Sequence, residues 1–257
     1  MRWAVVSDIH GNLPALEAVI ADAADVDGWL NLGDILSGPL WPRETAHFLM
    51  QQDWPTIAGN HERQLLTLAR DRMGPTDAFT IDTLTPAQVR WLAALPPTMA
   101  PAAGLLCVHG APGKDLQYLL ETVTPQGVRA ATADEIGQRL GGERTPLLLC
   151  GHTHVPRDVA LDPMRIVNPG SVGLQAYDDG HPWPHLIENG SPRARYALIE
   201  NANGAWQVTL REVDYDHEAA ARRAEGNGRG DWADALRTGR VGRTEADVRP
   251  ASRPAPG

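Results

Sequence analysis

Seven polar side chains that suit metal binding follow apolar runs at five places in the sequence. They comprise two carboxylates, four imidazoles and one amide: Asp8, His10, Asp34, Asn60, His109, His152 and His154. A glycine lies within one or two positions of each group, and glycine permits unusual backbone angles and a close approach of the backbone to a ligand. Layered α/β folds place their functional sites in the loops that follow strands. The positions of these residues therefore predict one shared site.

The composition of this set indicates its chemistry. A tetrahedral zinc ion takes four ligands, or three and a water molecule, so these donors are too many for one such ion. They suit two divalent cations that share a carboxylate; imidazole with carboxylate is typical of Mn, Fe, Zn or Ni sites, and the lack of thiolates disfavours a structural zinc site. Two ions about 3.5–4 Å apart can hold the attacking and leaving oxygens of an in-line displacement, and can make hydroxide available from a bridging water near neutral pH.

Short apolar runs alternate with longer amphipathic segments and predict the elements that carry these residues. Five runs are typical of strands that end near the candidate ligands: residues 3–6, 28–34, 56–60, 104–110 and 146–151. Five segments are typical of helices: residues 13–23, 41–52, 62–70, 86–95 and 125–140. Asn12 can cap the first of these helices, with Pro14 in its first turn, and Gly141 and Gly142 can end the last one.

The second half of the chain is mostly extended. Residues 158–170 predict a hairpin with a turn at Asp162-Pro163, and residues 194–216 predict a second hairpin that turns across residues 201–204. Two further segments are typical of helices: residues 217–224 and 231–238.

A β-α-β-α first half followed by a strand-rich second half indicates an α/β fold in which two packed sheets are flanked by helices. Neither an internal repeat nor a central linker is evident, so residues 1–238 are predicted to form a single domain. Residues 239–257 are rich in arginine, proline and glycine and are predicted to be a disordered C-terminal tail.

Six motifs, taken in order, resemble those of the calcineurin-like metallophosphoesterase superfamily, and within it the small bacterial and archaeal phosphodiesterase-like branch. They are "DIHGN", "GD", "GNHE", "VHG", "GHTH" and "NPGS", and the resemblance covers about residues 1–218. As an ordered set these motifs are specific, although "GD" or "VHG" alone would mean little. The resemblance implies a four-layer α/β/β/α sandwich of two mixed sheets flanked by helices, which agrees with the elements above.

The resemblance also implies a role for each candidate residue. The ligands of one ion would be Asp8, His10 and His154, those of the other Asn60, His109 and His152, with Asp34 bridging the two. His61 would bind no metal; it would donate a proton to the leaving oxygen or stabilise the charge on the phosphoryl group. This role is physically reasonable because an imidazole has a pKa suited to acid–base work and His61 follows the ligand Asn60 directly. For residues 168–171, "NPGS", a plain Pro-Gly turn competes with support of the metal site, and support is favoured.

The implied reaction is hydrolysis of a phosphoester by in-line attack of a hydroxide that bridges the two ions. The expected substrate is a small phosphodiester, with a nucleotide among the candidates; phosphomonoesterase activity, on a protein or a nucleotide, stays an alternative on the same site. Cyclic nucleotides, nucleic-acid ends, dinucleoside polyphosphates, phospholipid head groups and phosphoproteins all share this central chemistry.

Two other functional classes are less well supported. A non-catalytic scaffold could keep the metals as structure only, but the presence of every expected ligand together with His61 disfavours it. A dinuclear amidohydrolase would carry its HxH pair near the first strand and sometimes a bridging lysine. Here the pair comes late in the chain, and the sole lysine, Lys114, lies in a turn, "APGKD".

The bulk composition restricts partners and compartment. The chain has 257 residues and a net charge of −9, which disfavours long nucleic acid as a partner. Cys107 and Cys150 lie in apolar runs and are predicted to be reduced thiols in the core. No run approaches the roughly 18 apolar residues that could span a bilayer, and the N-terminus enters a strand without a leader pattern. A cytoplasmic protein without membrane contact is therefore expected; the composition does not indicate an oligomeric state.

Residues 176–192 form a longer connection than the resemblance implies. They contain His181, Trp183 and His185 among prolines. One interpretation is an exposed rigid loop, because loops tolerate insertions readily. The other is a specificity element near the site, with Trp183 stacking on a base or another flat group.

Overall fold

Two mixed β-sheets form the centre of the fold in the computed structural model, which describes residues 1–202 and 205–248. The first sheet consists, in spatial order, of β13 (Ala205–Val213), β12 (Ala194–Ala202), β1 (Arg2–Val6) and β2 (Gly28–Asn31). The second consists of β3 (Met99–Ala102), β4 (Leu105–Cys107), β7 (Leu147–Leu149), β9 (Met164–Asn168) and β8 (Arg157–Leu161). Each sheet contains parallel and antiparallel pairs: β1 is parallel to β2 and antiparallel to β12, and β7 is parallel to β4 and β9, which pairs antiparallel with β8.

Two small hairpins and a set of helices complete the described chain. The hairpins are β5 (Glu121–Thr124) with β6 (Gly127–Ala130), and β10 (Ala176–Asp179) with β11 (His185–Glu188). The helices are α1 (Leu13–Asp22), α2 (Pro42–Leu49), α3 (Asn60–Thr67), α4 (Pro75–Thr83), α5 (Pro86–Ala93), α6 (Ala133–Leu140), α7 (His217–Gly226), α8 (Gly230–Thr238) and α9 (Glu245–Val248). A 3-10 turn occupies Arg70–Arg72. None of the helices in the described ranges is long and apolar enough to cross a membrane.

Apolar cores separate four layers. Val5 of β1 and Leu149 of β7 lie between the two sheets, whereas Val6 and Leu148 face outward because successive strand residues point to opposite sides. Val6 shares a core with Leu16 of α1, and Leu148 shares another with residues of α6. The layer order is therefore α/β/β/α, and the predicted sandwich of two mixed sheets flanked by helices is confirmed.

This topology brings the carboxyl ends of four strands to one edge. Strands β1 and β2 are parallel neighbours in the first sheet, and β4 and β7 are parallel neighbours in the second. The loop after each of these strands contains at least one predicted ligand. Since parallel strands end at the same edge of a sheet, the candidate site lies where the two sheets end together.

Both predicted hairpins form. The strands β8 and β9 pair up to the Leu161–Met164 contact around the turn at Asp162-Pro163. The strands β12 and β13 pair along their whole lengths, while residues 203–204 of the predicted turn lie outside the described residues.

The predicted helix over residues 125–140 is wrong in its first half. Residues up to Ala130 form the β5–β6 hairpin, in which Val123 pairs with Val128. The helix begins only after Thr132, whose hydroxyl accepts from the backbone N–H of Glu135, while Glu135 accepts from the backbone N–H of Thr132. This reciprocal capping box stabilises a helix start at this point, and the β-branched residues before it favour an extended backbone.

The predicted strand over residues 56–60 is also wrong. Only an isolated bridge between Thr56 and Asn31 forms there, because Pro55 precedes it without an N–H to donate and Asn60 already begins α3. The ligand-bearing loop is nevertheless held beside β2, since the Ile57 N–H donates to the carbonyl of Asn31.

Part of the predicted tail is folded. Residues 239–248 continue from α8 and include α9, and Arg243 forms an ion pair with Asp234 of α8 at 2.8 Å. The backbone N–H of Val241 donates to Glu188 of β11. The arginines that suggested disorder in the sequence therefore find carboxylate partners as far as residue 248, and residues 249–257 of the predicted tail lie outside the described residues.

Candidate metal centre

All of the predicted ligands lie together, six of them in the loops that follow β1, β2, β4 and β7 and Asn60 at the start of α3. Two groups of three have candidate ligand atoms within 4.8 Å of one another: Asp8, His10 and His154, and Asp34, His109 and His152. The amide oxygen of Asn60 lies 3.1 Å from Nε2 of His109 and so joins the second group. The backbone N–H of His152 donates to Oδ2 of Asp8 at 3.1 Å, which links the two groups.

Three of the imidazoles are oriented by backbone carbonyls. The acceptors of their Nδ1–H groups are Ser37 for His10 at 2.7 Å, Leu32 for His109 at 2.8 Å and Leu174 for His154 at 2.7 Å. Each bond favours the tautomer with its hydrogen on Nδ1 and leaves the Nε2 lone pair directed into the site. The Nε2 atoms of His10 and His154 lie 3.1 Å apart, so their lone pairs repel unless a proton or a cation lies between them.

Oxygen atoms in the site also lack donors. Oδ1 of Asp8 is buried and has no hydrogen-bond partner among the described residues. The Oδ1 position of Asn60 faces Oδ2 of Asp34 at 3.1 Å and Nδ1 of His152 at 2.9 Å, where only exchange of the amide oxygen and nitrogen would allow hydrogen bonds. A cation among these acceptors would stabilise them as they stand. The residues therefore fit divalent ions that prefer nitrogen and oxygen ligands.

The backbone is strained at the ligands themselves. Within the described ranges, the non-glycine residues with positive φ are Asp8 (54°), His10 (52°), Asp34 (52°), His152 (69°) and His154 (60°). Non-glycine residues rarely adopt this left-handed region, and each such residue costs of order 1–3 kcal/mol. Strain of this kind persists where the surrounding structure over-determines it, typically at functional sites. Here the left-handed conformation turns the backbone sharply in the loops that carry these ligands, so that the side chains converge.

Burial and neighbouring charge decide which ligands are already in the form that binds a cation. Burial lowers the pKa of His10 to about 3, and the nearby His154 acts in the same direction. Burial alone would raise the pKa of Asp8, but the adjacent imidazoles of His154 and His109 outweigh it and lower that pKa to about 2. Near neutral pH Asp8 is therefore an ionised carboxylate and His10 a neutral imidazole, the forms that bind metal. Burial alone would also lower the pKa of His109, but Asp34 outweighs it and raises that pKa to about 9, so a cation must displace a proton there.

Glu62 organises the loops that carry two of the ligands, and the sequence analysis gave it no role. Its buried carboxylate accepts from the backbone N–H groups of Asp34 (2.8 Å), Ile35 (2.9 Å) and Gly59 (2.8 Å). It thereby ties the loop after β2 to the N-terminus of α3, where Asn60 lies. A signal was present, because Glu62 is at the third position of a helix, where a glutamate commonly bonds back to the capping residue.

Gly59 allows the same two segments to touch. A methyl group on Gly59 would overlap Oδ1 of Asp34 and would lie 2.6 Å from the Asp34 backbone nitrogen. We expect Gly59→Ala to lower the free energy of unfolding by about 1–3 kcal/mol, the usual cost of overpacking, and to weaken metal binding about 10–100-fold, because a ligand would shift. Chemical denaturation and metal titration measure the two effects.

Gly74→Ala is the matched control for this substitution. Gly74 also caps a helix, α4, but an added methyl group would have no neighbour within 4 Å. An equal loss of metal affinity in both variants would show that contact with Asp34 is not the cause.

His61 lies at the rim of the centre and binds a carboxylate partner. Its Nδ1 is 2.7 Å from Oδ1 of Asp77, a buried residue in the first turn of α4. Burial alone would lower the pKa of His61, but Asp34 and Asp77 outweigh it and raise that pKa to about 10. Bound cations would oppose this rise, while the pair with Asp77 would still orient the ring. The sequence analysis missed Asp77 because it predicted no element at α4; the Gly-Pro-Thr-Asp run at residues 74–77 is a helix-start signal that could have revealed it.

Residues 168–171 support two of the ligand loops. The side-chain amide of Asn168 donates to the carbonyl of Gly151 and to the hydroxyl of Thr153, both in the "GHTH" loop. The hydroxyl of Ser171 donates to the carbonyl of Asp8 at 2.8 Å. These contacts connect the end of β9 with the loops after β7 and β1, as a supporting role requires.

A cleft of about 260 Å³ opens over the centre. One wall comes from Tyr118 and Tyr177, whose hydroxyl oxygens lie 2.7 Å apart, and His185 binds the Tyr118 hydroxyl at 3.1 Å. The other wall includes Trp232 of α8, which lies edge-on to His10 with ring centroids 5.8 Å apart. The cleft therefore has aromatic rings beside both groups of ligands, with Tyr118 next to His152 and Trp232 next to His10, and it is open to solvent above them.

The connection over residues 176–192 contributes to this cleft through its first strand. Tyr177 of β10 lines the cleft, and its ring lies edge-on to His154 with centroids 4.8 Å apart. Trp183 does not line the cleft and is 50% exposed. The part of this connection that lies close to the site is therefore β10. Trp183 lies outside the cleft, where it could not stack on a substrate bound there.

Comparison with known proteins identifies the family. Residues 1–182 match the model of the calcineurin-like phosphoesterase superfamily domain. The structure is similar to a metallophosphoesterase from Sphaerobacter thermophilus, at 27% identity and a TM-score of 0.75 over 93% of this chain and 99% of that one. It is also similar to the hypothetical protein PH1004 from Pyrococcus horikoshii OT3, at 19% identity and a TM-score of 0.71 over 94% and 99% of the two chains. A search of curated proteins finds no significant match.

The match to the family model covers the loops after β1, β2, β4 and β7, and with them every predicted ligand and His61. The superfamily that the motifs indicated is therefore confirmed. The chain belongs to the calcineurin-like phosphoesterase superfamily and is a metal-dependent phosphoester hydrolase.

Proposed function

We propose that the protein is a dinuclear phosphodiesterase that acts on a small phosphodiester. The observation that carries this proposal is the division of the ligands into two adjacent groups of three below a small cleft that His61 lines. Each group supplies a carboxylate and two imidazoles, which is a reasonable set for one divalent ion. Asp34 lies 3.0 Å from Nε2 of His109 in the second group, and its negative charge also acts on His10 of the first group; we assign it as the bridging ligand.

The size of the cleft supports a small substrate. Its volume of about 260 Å³ is slightly below the range of roughly 300–1,000 Å³ that is common for drug-sized ligands. The large side chains of Tyr118 and Trp232, which both line the cleft, restrict the space above the ligands. A compact ester or a nucleotide-sized group suits this space better than a polymer or a folded phosphoprotein.

The charges in the cleft favour a diester over a monoester. Both arginines that line the described part of the cleft are already paired: Arg229 with Asp231 at 2.6 Å, and Arg243 with Asp234 at 2.8 Å. A monoester carries up to two negative charges near neutral pH, and the second charge would find no unpaired arginine here. A diester carries a single charge.

The residues of this chain would act in distinct ways during the reaction. Two divalent ions, when bound, would neutralise phosphoryl oxygens and supply an ionised water as the nucleophile. The imidazolium of His61, oriented by Asp77, would donate its Nε2 proton to the departing oxygen. Tyr118 and Trp232 would exclude bulk water from the sides of the cleft.

The cytoplasmic location expected from the sequence stays a prediction.

Removal of the metal tests the proposal. We expect a chelator to abolish hydrolysis of bis(4-nitrophenyl) phosphate, and Mn²⁺, Fe²⁺, Zn²⁺ or Ni²⁺ to restore it. The reason is that the attacking water is ionised near neutral pH only when metal ions are bound. Elemental analysis of the reloaded protein is expected to give two ions per chain, and the diester is expected to be hydrolysed faster than 4-nitrophenyl phosphate.

Other outcomes point to the alternatives. A faster reaction with the monoester would favour a phosphatase on the same site. Full loading with metal but no turnover of any ester, with any of the four metals, would favour the non-catalytic scaffold. One ion per chain in an active protein would contradict the dinuclear assignment.

A further inference from the structure

The C-terminal helices contribute a wall of the cleft that lies beyond the segment matched by the family model. That match ends at residue 182, whereas α8 and the residues beside it supply Arg229 and Trp232 to the cleft. Arg229 immediately precedes α8, and its side chain is only 9% exposed. A buried guanidinium at this position needs hydrogen-bond and ion-pair partners to compensate its charge.

Two carboxylates and one hydroxyl bind the guanidinium of Arg229. Asp231 accepts from Nε at 2.9 Å and from Nη2 at 2.6 Å, and Glu245 accepts from Nη2 at 3.3 Å. Nη1 donates to the hydroxyl of Thr76 at 2.7 Å. Because the acids neutralise the charge, the guanidinium is poorly suited to bind a substrate phosphate, and the bond from Nη1 links the C-terminal helices to α4.

That link ends one residue from the partner of His61. Thr76 and Asp77 are consecutive residues in the first turn of α4, and Asp77 holds Nδ1 of His61 at 2.7 Å. The position of this turn therefore decides where the imidazole points. The same helix also reaches the loop beside His10, because the hydroxyl of Thr80 accepts from the backbone N–H of Gly38.

We propose that Arg229 is a positioning residue that fixes α4, and through Asp77 the ring of His61, for proton donation to the leaving group. The inference rests on the proposed function of His61, and it gives the C-terminal helices a role in the reaction. Arg229 acts through Thr76 and Asp77 and does not itself contact the reacting atoms.

A matched pair of substrates separates proton donation from binding. Methyl 4-nitrophenyl phosphate has a good leaving group that needs little protonation, while methyl phenyl phosphate has a similar shape and a poor leaving group. A misplaced proton donor slows only the second reaction strongly, because a general acid contributes most where the leaving oxygen is basic. A lost contact with the phosphate would raise KM for both.

Two variants remove the link while disturbing little else. Thr76→Val keeps the shape of the side chain but removes the acceptor, and Arg229→Lys keeps a positive charge between Asp231 and Glu245. For each we expect kcat on methyl phenyl phosphate to fall about 10–100-fold, kcat on the nitrophenyl ester to fall less than about threefold, and metal content to stay unchanged. Amide hydrogen exchange across residues 75–83 is expected to become faster, which tests the anchoring without any activity measurement.

Arg237→Lys is the control. Arg237 lies in α8, the helix that Arg229 precedes, and binds Glu218 and Glu225 away from the cleft. Neither exchange in α4 nor the ratio of kcat on the two substrates is therefore expected to change. Equal losses on both substrates through a higher KM, or unchanged exchange together with unchanged rates, would overturn the proposal for Arg229. A third outcome would instead contradict the role of His61. Exchange in α4 would become faster, and the ratio of kcat on the two substrates would stay unchanged both in these variants and in His61→Ala.

Discussion

Replacing His61 with alanine is expected to lower kcat on methyl phenyl phosphate about 10²–10⁴-fold, the usual contribution of a general acid. The ring is anchored by Asp77 and lies edge-on to His10 with centroids 5.4 Å apart, so it faces the centre without needing to bind an ion. The loss is expected to be much smaller on methyl 4-nitrophenyl phosphate, whose leaving group departs without a proton. Steady-state rates on the two esters measure this difference directly.

Metal content distinguishes this role from ligation. We expect the His61→Ala protein to hold as much metal as the unmodified protein, by elemental analysis. His47→Ala is a matched control, because His47 is exposed on α2 and bonds only to Gln51 among the contacts described. If the His61 variant lost metal, the residue would be a ligand and its assignment as proton donor would be wrong.

Glu62→Ala is expected to give the largest loss of stability, about 3–5 kcal/mol in the free energy of unfolding. Three buried backbone N–H groups, from Asp34, Ile35 and Gly59, would lose their acceptor. Each buried donor left without a partner costs roughly 1–3 kcal/mol, and partial entry of water into the space would recover some of the total. Chemical denaturation of the metal-free protein measures the effect without a contribution from bound ions.

Glu135 provides the comparison for Glu62. It occupies the same third position in the capping box of α6 and accepts from the backbone N–H of Thr132, but it is partly exposed and lies outside the site. We expect Glu135→Ala to cost only about 1 kcal/mol, because water can replace a partly exposed acceptor. Similar losses in the two variants would mean that helix capping alone, and not the connection of the two ligand loops, explains the role of Glu62.

The layered fold was predictable because its patterns are local. Apolar runs followed by glycine and polar residues mark β1, β2, β4 and β7, and these strands form as expected. The errors came where local signals competed. A turn at residues 125–127 between the β-branched residues of Thr122–Thr124 and Val128 favours a hairpin, and only the capping box at Thr132 shows where the helix begins.

The ligand set was predictable because each member lies in a short motif, and all but Asn60 follow a strand closely. Asp8 and His10 come directly after β1, and His152 and His154 come directly after β7. Their types alone limit the chemistry to divalent ions, and their order along the chain indicated the family. The left-handed backbone at these residues was not predictable, since it arises from contacts with the facing loops.

By itself, the sequence determined two packed sheets flanked by helices and the candidate metal-binding residues, because these depend on local periodicity and on side-chain type. The order of its motifs indicated the family, and the resemblance to that family implied the four-layer α/β/β/α arrangement. The tertiary structure alone decided which acid partners His61, which glutamate ties the ligand loops together, and that α8 forms a wall of the cleft. Asp77 lies 16 residues from His61 along the chain, and Thr76 lies 153 residues from Arg229. No local pattern encodes such pairs, because they form only when packing of the layers brings distant segments within hydrogen-bond distance.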